Sequence, residues 1–335
     1  MDNTAAQLRF FQLVKAKLPG HLSLVDEVAE LLNISNDSAY RRIRGEKEMG
    51  FGEIAILSEK FKVSVDQVLG LQSDAFIFSG KINNGEAEPF SQYMDDLERN
   101  FAYFNSFTDK KMSTLVKDIP PYVHFQIPEL AAFKFFFWSK SILHDENLKG
   151  VKFRAADSRY EKYIEQGERI FNYYLNIPNT EIWNVDSINS TLRQINFYYE
   201  AGSFADEKEI TNLYDCVEAL VNHIELQAEH GVKFQHGKKS NSSSAEFRMF
   251  NNELILGDNT NLVELGGQQL TFLNHSVLYF SYTSDERFNR SMSWNLENLI
   301  KKSTQINVVG EKERARFFNR LRQKIDNYRA VVRSR

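Results

Sequence analysis

Apolar positions in the first seventy residues recur at helical spacing in five short runs, each closed by turn chemistry. Leu8, Phe11, Leu13, Val14 and Leu18 form the first stripe, and Pro19-Gly20 stops it. Ser23 precedes Leu24-Val25-Asp26-Glu27, an N-cap followed by an acidic first turn, and Leu24, Val28, Leu31 and Leu32 give that helix its buried face. Asn33-Ile34-Ser35 is a tight connection. Ser35 or Asn36 then caps a third helix, Asp37 to Arg44, which Gly45 ends as a left-handed C-cap does. A fourth helix runs from Phe51 to Phe61 with Ile54, Leu57 and Phe61 on one face. Ser64-Val65-Asp66-Gln67 is a capping box that opens a short fifth helix closing at Gly70.

Residues 72 to 89 lose this pattern. Ser79-Gly80, Asn83-Asn84-Gly85 and Pro89 are turn chemistry, with Phe76-Ile77-Phe78 as a short strand between them, and the domain boundary falls here. From Phe90 to about Phe234 the spacing predicts helices over 90–106, 128–143, 157–175, 187–201 and 206–230, broken at Ile119-Pro120-Pro121 and Ile177-Pro178-Asn179. Lys238 to Ser244 is a polar connection. From Glu246 the period shortens to that of strands: Phe247 to Phe250 and Leu254 to Leu256 joined at Asn251-Asn252, then 261–264, 269–273 and 276–282. Helices return over 289–301 and from Glu311 to about Tyr328, the last with Phe317, Phe318, Leu321 and Ile325 on one stripe. The expected fold is therefore mainly α with a smaller α+β part: a five-helix N-terminal domain (1–72), a linker (73–89), and a region 90–335. That region is mostly helical over 90–237, and over 246–335 it is a C-terminal antiparallel β segment with closing helices.

Composition adds little to this picture except in two respects. The 335 residues carry 27 Phe and 14 Tyr, which predicts a bulky aromatic core or cavity downstream. Net charge is −4, yet Lys301 to Arg335 holds eleven Lys/Arg against three Asp/Glu, a basic tail on an acidic chain. Cys216 is the only cysteine and no Cys/His zinc spacing exists, so neither an internal disulfide nor a metal site is expected. No signal peptide stands at Met1, and the most apolar stretch, Leu130 to Leu143, is short and carries Lys134 and Lys140. A cytoplasmic protein without a membrane span is expected.

The block Val28-Ala29-Glu30-Leu31-Leu32-Asn33-Ile34-Ser35 is followed by Asn36-Asp37-Ser38-Ala39-Tyr40-Arg41-Arg42-Ile43-Arg44-Gly45. After them come Phe51 to Phe61 and Val63-Ser64-Val65-Asp66-Gln67-Val68-Leu69-Gly70. In this order and spacing the blocks resemble the lambda-repressor-like (Cro/C1, XRE) helix-turn-helix family, over about a fifth of the chain. Ile43 stands where that family usually has an acidic residue. The resemblance implies that 36–44 is a recognition helix entering the major groove of double-stranded DNA, with the protein bound as a homodimer to two half-sites. The residues suit that task by their own chemistry. Ser35, Asn36, Asp37, Ser38 and Tyr40 offer hydrogen bonds near the helix N-terminus, and Arg41, Arg42, Arg44 and Lys47 are placed for phosphates or guanine edges. Ala39 and Ile43 face inward. Residues 1–72 hold nine Lys/Arg and ten Asp/Glu, so the positive charge is confined to the 41–47 patch.

Other constellations are weaker. Gly231 to Ser240 ends in Gly-Lys-Lys-Ser but has five residues between its glycines where a phosphate loop has four. His223 and His230 lie two turns apart, not at the i, i+4 spacing of a shared metal. The basic last helix, with Arg314, Arg316, Arg320, Arg322 and Lys324, reads as a docked amphipathic helix with a solvated face. Phe137, Trp138, Tyr174, Trp183 and Tyr199 are candidates for lining an effector pocket. No nucleophile–base pairing or cofactor loop stands out. The sequence therefore points to a transcriptional regulator without enzymatic activity or cofactor, whose C-terminal region dimerises or senses a small molecule. The alternative is an enzyme or toxin-like effector whose helix-turn-helix is autoregulatory or targets it, and a buried cluster of titratable groups beyond residue 90 would favour that.

Overall fold

The computed structural model describes residues 3–18, 22–69, 76–81, 90–241, 243–254 and 257–333. The expected stops at Pro19-Gly20 and Gly70, the turns at 83–85 and Pro89, and the strand residues Ile255 and Leu256 lie outside the described residues. The chain divides into two compact units, Met1–Ala75 and Phe76–Arg335.

Among its described residues the first unit holds five helices: α1 (Asn3–Lys17), α2 (Leu24–Leu32), α3 (Asn36–Ile43), α4 (Phe51–Phe61) and α5 (Val65–Leu69). Their core is Phe10, Phe11, Val14, Val28, Ala29, Ala39, Leu57, Phe61, Val63 and Val68. The α1 stripe is rotated from the sequence expectation: Phe10 is buried while Leu8 is 38% exposed, because Phe10, Phe11 and Val14 already span the face toward the core.

Among its described residues the second unit is built on one mixed sheet of eight strands: β1 (Ser79–Gly80), β2 (Lys110–Val116), β3 (Asn179–Trp183), β4 (Phe247–Asn251), β5 (Thr260–Leu265), β6 (Gln268–Asn274), β7 (Phe280–Thr283) and β8 (Thr304–Gln305). Their spatial order is β1-β7-β6-β5-β2-β3-β4-β8. Strands β2, β3 and β4 run parallel, with Leu115 opposite Ile182 and Ile182 opposite Phe250, and the remaining pairs are antiparallel. This corrects the expected division into a helical 90–237 and an antiparallel β segment beyond it, since β2 and β3 come from the supposedly helical part and join the later strands. The helices are α6 (Phe90–Asn105), α7 (Pro128–Phe137), α8 (Glu161–Leu175), α9 (Asn189–Glu200), α10 (Glu207–His230), α11 (Glu286–Lys301) and α12 (Glu311–Arg333). A π-helical turn, Trp138–Ile142, continues α7.

The period of two in the central strands sorts side chains onto two faces. Met112, Val116, Trp183, Met249 and Val263 join the large core to which Phe101, Phe133, Ile170, Leu192, Leu213 and Phe317 of six helices also belong. Leu115, Ile182 and Leu262 point the other way, onto Leu296 of α11. The basic helix α12 docks against α10 and turns its charges onto acidic neighbours: Arg322 pairs with Glu225, and Arg329 donates to Asp215 at 2.6 Å and Glu218 at 2.5 Å. Its face is thus largely neutralised within the chain. No helix among the described residues is long and apolar enough to cross a membrane.

Candidate nucleic-acid interface

Three local devices fix the geometry of α2, the turn and α3. The Ser23 hydroxyl caps α2 by accepting from the Asp26 amide, and Asn33 ends it in the left-handed region at φ 52°, its own amide donating back to Ala29 and Glu30. Ser35 opens α3 by accepting from the Ser38 amide at 3.3 Å. The Asn36 side-chain amide donates to Asp26 at 2.9 Å and ties the start of α3 to the first turn of α2. With Ala39 fully buried, the two helices cross without a large side chain between them.

A helical step of about 100° places Asp37, Tyr40, Arg41 and Arg44 on one stripe, and all four are exposed. The Arg44 guanidinium donates to the Tyr40 hydroxyl at 3.3 Å, lies over its ring at 5.6 Å, and pairs with Glu46 at 3.2 Å. Arg41 has no such partner among the described residues. Lys47 is exposed just beyond the helix.

Arg42, expected to contact DNA, is instead a structural residue. Its side chain is 7% exposed, and its guanidinium donates from Nη2 to Glu53 at 2.7 Å and from Nε to both Glu53 oxygens at 3.1 Å. Nη1 donates to the Ser38 carbonyl at 3.2 Å. The reason is positional: residue 42 lies on the α4 side of α3, where a desolvated guanidinium is tolerable only when paired. Glu53 also accepts from the Gly50 amide at 3.0 Å, capping α4, and the Arg42 hydrogen bonds hold its carboxyl below the ordinary value. Ser35 and Asn36 have spent side-chain groups on capping and on Asp26, and Ser38 is half-buried. The open groups of the expected set are Asp37, Tyr40, Arg41, Arg44 and Lys47.

Two positioning residues escaped the sequence reading. Gln7 on α1 donates to the carbonyls of Arg42 (2.7 Å) and Lys47 (2.8 Å) and accepts from the Met49 amide (3.2 Å), clamping both ends of the loop after α3. Glu53 caps α4 from the third helical position by accepting from the Gly50 amide, the half of a capping box that does not need an N-cap side chain. Gly45 closes α3 at φ 73°, a conformation that favours glycine, and an added Cβ would lie 2.8 Å from Thr4 Cγ2, which would have to shift.

The five aromatic pocket candidates do not share a cavity. Trp138 is buried among Phe90, Tyr93, Phe125 and Phe135, whereas its neighbour Phe137, one helical step round, borders a surface cleft. Tyr174 and Trp183 converge elsewhere, on the buried Glu181 carboxylate, donating at 2.7 and 2.6 Å. Tyr199 is half-buried against the core. Burial raises Glu181 above the ordinary carboxylate range, and Lys233, also buried, donates to the Tyr174 carbonyl at 2.6 Å. His223 is no ligand candidate: its Nε2 donates to the Phe234 carbonyl at 2.8 Å, and burial lowers its pKa to about 4. Among the described residues no group of three or more His, Cys, Asp or Glu side chains is placed to hold a metal ion. Compared with protein-family models, curated proteins and solved structures, the chain matches none.

Proposed function

We propose that the first unit is a lambda-repressor-like helix-turn-helix domain and that the chain is a sequence-specific, DNA-binding transcriptional regulator acting as a homodimer. The observation that carries this reading is the stripe of Asp37, Tyr40, Arg41 and Arg44. It lies open on a helix whose opposite face is held rigidly by Ala39 and the Arg42–Glu53 pair. A recognition helix needs that division of labour: a fixed inner face, and outer groups that reach base edges and phosphates. An eight-residue helix reads only a few base pairs, so two copies one DNA turn apart supply the remaining specificity. Selection of binding sites from random duplexes by the full chain should return a two-fold-related motif. Arg41→Ala should then lower affinity and reduce the salt slope by about 0.9 if Arg41 meets one phosphate. Recovery of no motif, or an Arg41→Ala affinity and salt slope equal to wild type, would sink the assignment.

One observation favours the enzyme alternative: burial lowers Lys134 to about 7, the range of a proton-transfer group. Against it, both Lys134 and its neighbour His124 are deeply buried and engaged in hydrogen bonds within the fold. That arrangement suits a site that holds a ligand better than one that transforms it.

A further inference from the structure

A cleft of about 840 Å³ opens in the second unit beyond the carboxyl ends of the parallel strands β2 and β3. Its volume falls within the roughly 300–1,000 Å³ typical of small-molecule sites. Three features of its walls are ones that recur at binding sites. Lys117 and Asp118 follow β2 directly, at the strand end where ligands of parallel sheets collect. Lys140 and Ser141 belong to the π-helical turn, a distortion frequent at functional sites. Arg193, Gln194 and Phe197 come from one face of α9.

Beneath Gln194 lies a polar relay whose hydrogens can be placed. The Lys134 ammonium, 3% exposed, donates to Gln194 Oε1 at 2.7 Å and Thr191 Oγ1 at 2.8 Å. Because the Pro121 carbonyl can only accept, His124 donates to it from Nδ1, and its Nε2 accepts the Thr191 hydroxyl proton at 3.0 Å. Burial and the Lys134 charge keep His124 neutral. The relay holds Lys134 as a donor under the cleft.

The charges around the cleft do not cancel. Lys117 is paired with Asp258 at 2.5 Å, and Asp186 with Lys324 at 2.5 Å. Lys140 donates to the Val151 carbonyl at 2.6 Å and lies over the Phe136 ring at 5.0 Å, and no ion pair among the described residues engages it or Arg193. Lys140 and Arg193 therefore stand in the lining without an ion pair, beside the half-buried carboxyl of Asp118. We propose that this cleft binds a small organic carboxylate that also carries a hydroxyl or amino donor. Arg193 and Lys140 hold the carboxylate, Asp118 accepts from the donor, and Phe137 and Phe197 flank the apolar body. Asp118 disfavours a phosphate dianion, which brings a second negative charge beside it.

The test uses the full chain and no DNA, so its outcome is independent of the helix-turn-helix reading. Calorimetric titration with 4-hydroxybenzoate and with L-phenylalanine should show saturable millimolar or tighter binding by at least one of them. The neutral 4-hydroxybenzamide should bind at least about tenfold more weakly than 4-hydroxybenzoate, having lost the charge-assisted bonds. Exposed Arg193 can be changed without disturbing the core: Arg193→Ala should weaken binding about tenfold, while Arg248→Ala, remote from the cleft, should not. Binding of neither carboxylate below about 10 mM, equal binding of the amide, tighter binding of phenyl phosphate, or full affinity in Arg193→Ala would each overturn the proposal.

Discussion

Replacing Arg42 by Ala tests most directly how α3 is built. The substitution removes four hydrogen bonds, three to Glu53 and one to the Ser38 carbonyl, and strands a carboxylate that is only 25% exposed. Breaking a buried pair by deleting one partner costs about 3–5 kcal/mol. The partial exposure of Glu53 places the expected loss near the lower end, about 3 kcal/mol, which is on the order of a hundredfold in an opening equilibrium. Hydrogen exchange of the full chain, followed by mass spectrometry on peptides covering α2 to α4, reads that change without requiring the two units to unfold together. Exposed Arg41→Ala should alter protection by less than about 0.5 kcal/mol. The pair also sets an acid limit. Glu53 is held below its ordinary value of 4.5, so its stabilisation is complete above that value and disappears as pH falls through the lower, folded-state value. Glu53→Gln should lose stability at neutral pH and lose this acid dependence with it. The reasoning fails if Arg42→Ala costs under about 1 kcal/mol, or if Arg41→Ala proves equally damaging.

Two further outcomes follow from the same packing. Gly45→Ala places a side chain at φ 73° and 2.8 Å from Thr4 Cγ2, so protection across α1 and α3 should fall by about 1–2 kcal/mol; unchanged exchange would show that the close approach is absent. Burial pushes the Cys216 thiol up to about 12, so it is protonated at neutral pH. Its alkylation should proceed only as fast as the second unit opens, and labelling at the rate of an unstructured cysteine peptide would contradict that burial.

Much of the helical architecture was legible because helices announce their ends locally. Ser23 and Ser35 cap where their side chains predict, and Gly231 ends α10 at φ 69°, just past the expected bound of 230. Strands β2 and β3 were not legible. Asn179-Thr-Glu-Ile-Trp183 reads as polar, yet Asn179 and Glu181 face the core because Tyr174, Trp183 and Thr114 satisfy them. Trp183 stands in the same strand and Tyr174 just before it, but only the folded sheet, which brings up Thr114 of β2, gathers them around Asn179 and Glu181. The predicted strand 276–282 shrank to β7 for a related reason: Ser276 and His275 close a turn onto the Tyr279 carbonyl instead of pairing. In α3, composition identified the arginines but could not rank them, since only the position of α4 separates buried Arg42 from open Arg41. Lys134 read as a charge in an apolar run, and its role needed the placement of Thr191 and Gln194.

The order of strands also governs how the protein is made. The central strand β2 leaves the ribosome before its partners β3 and β5 are synthesised, and β8 closes the far edge only at Thr304–Gln305. The first unit consists of helices close in sequence, so it can fold while the rest of the chain is still emerging. The second must leave one edge of β2 unpaired until β5 arrives. Synthesis rate and chaperone supply should therefore limit the yield of the larger unit, while the smaller one folds regardless.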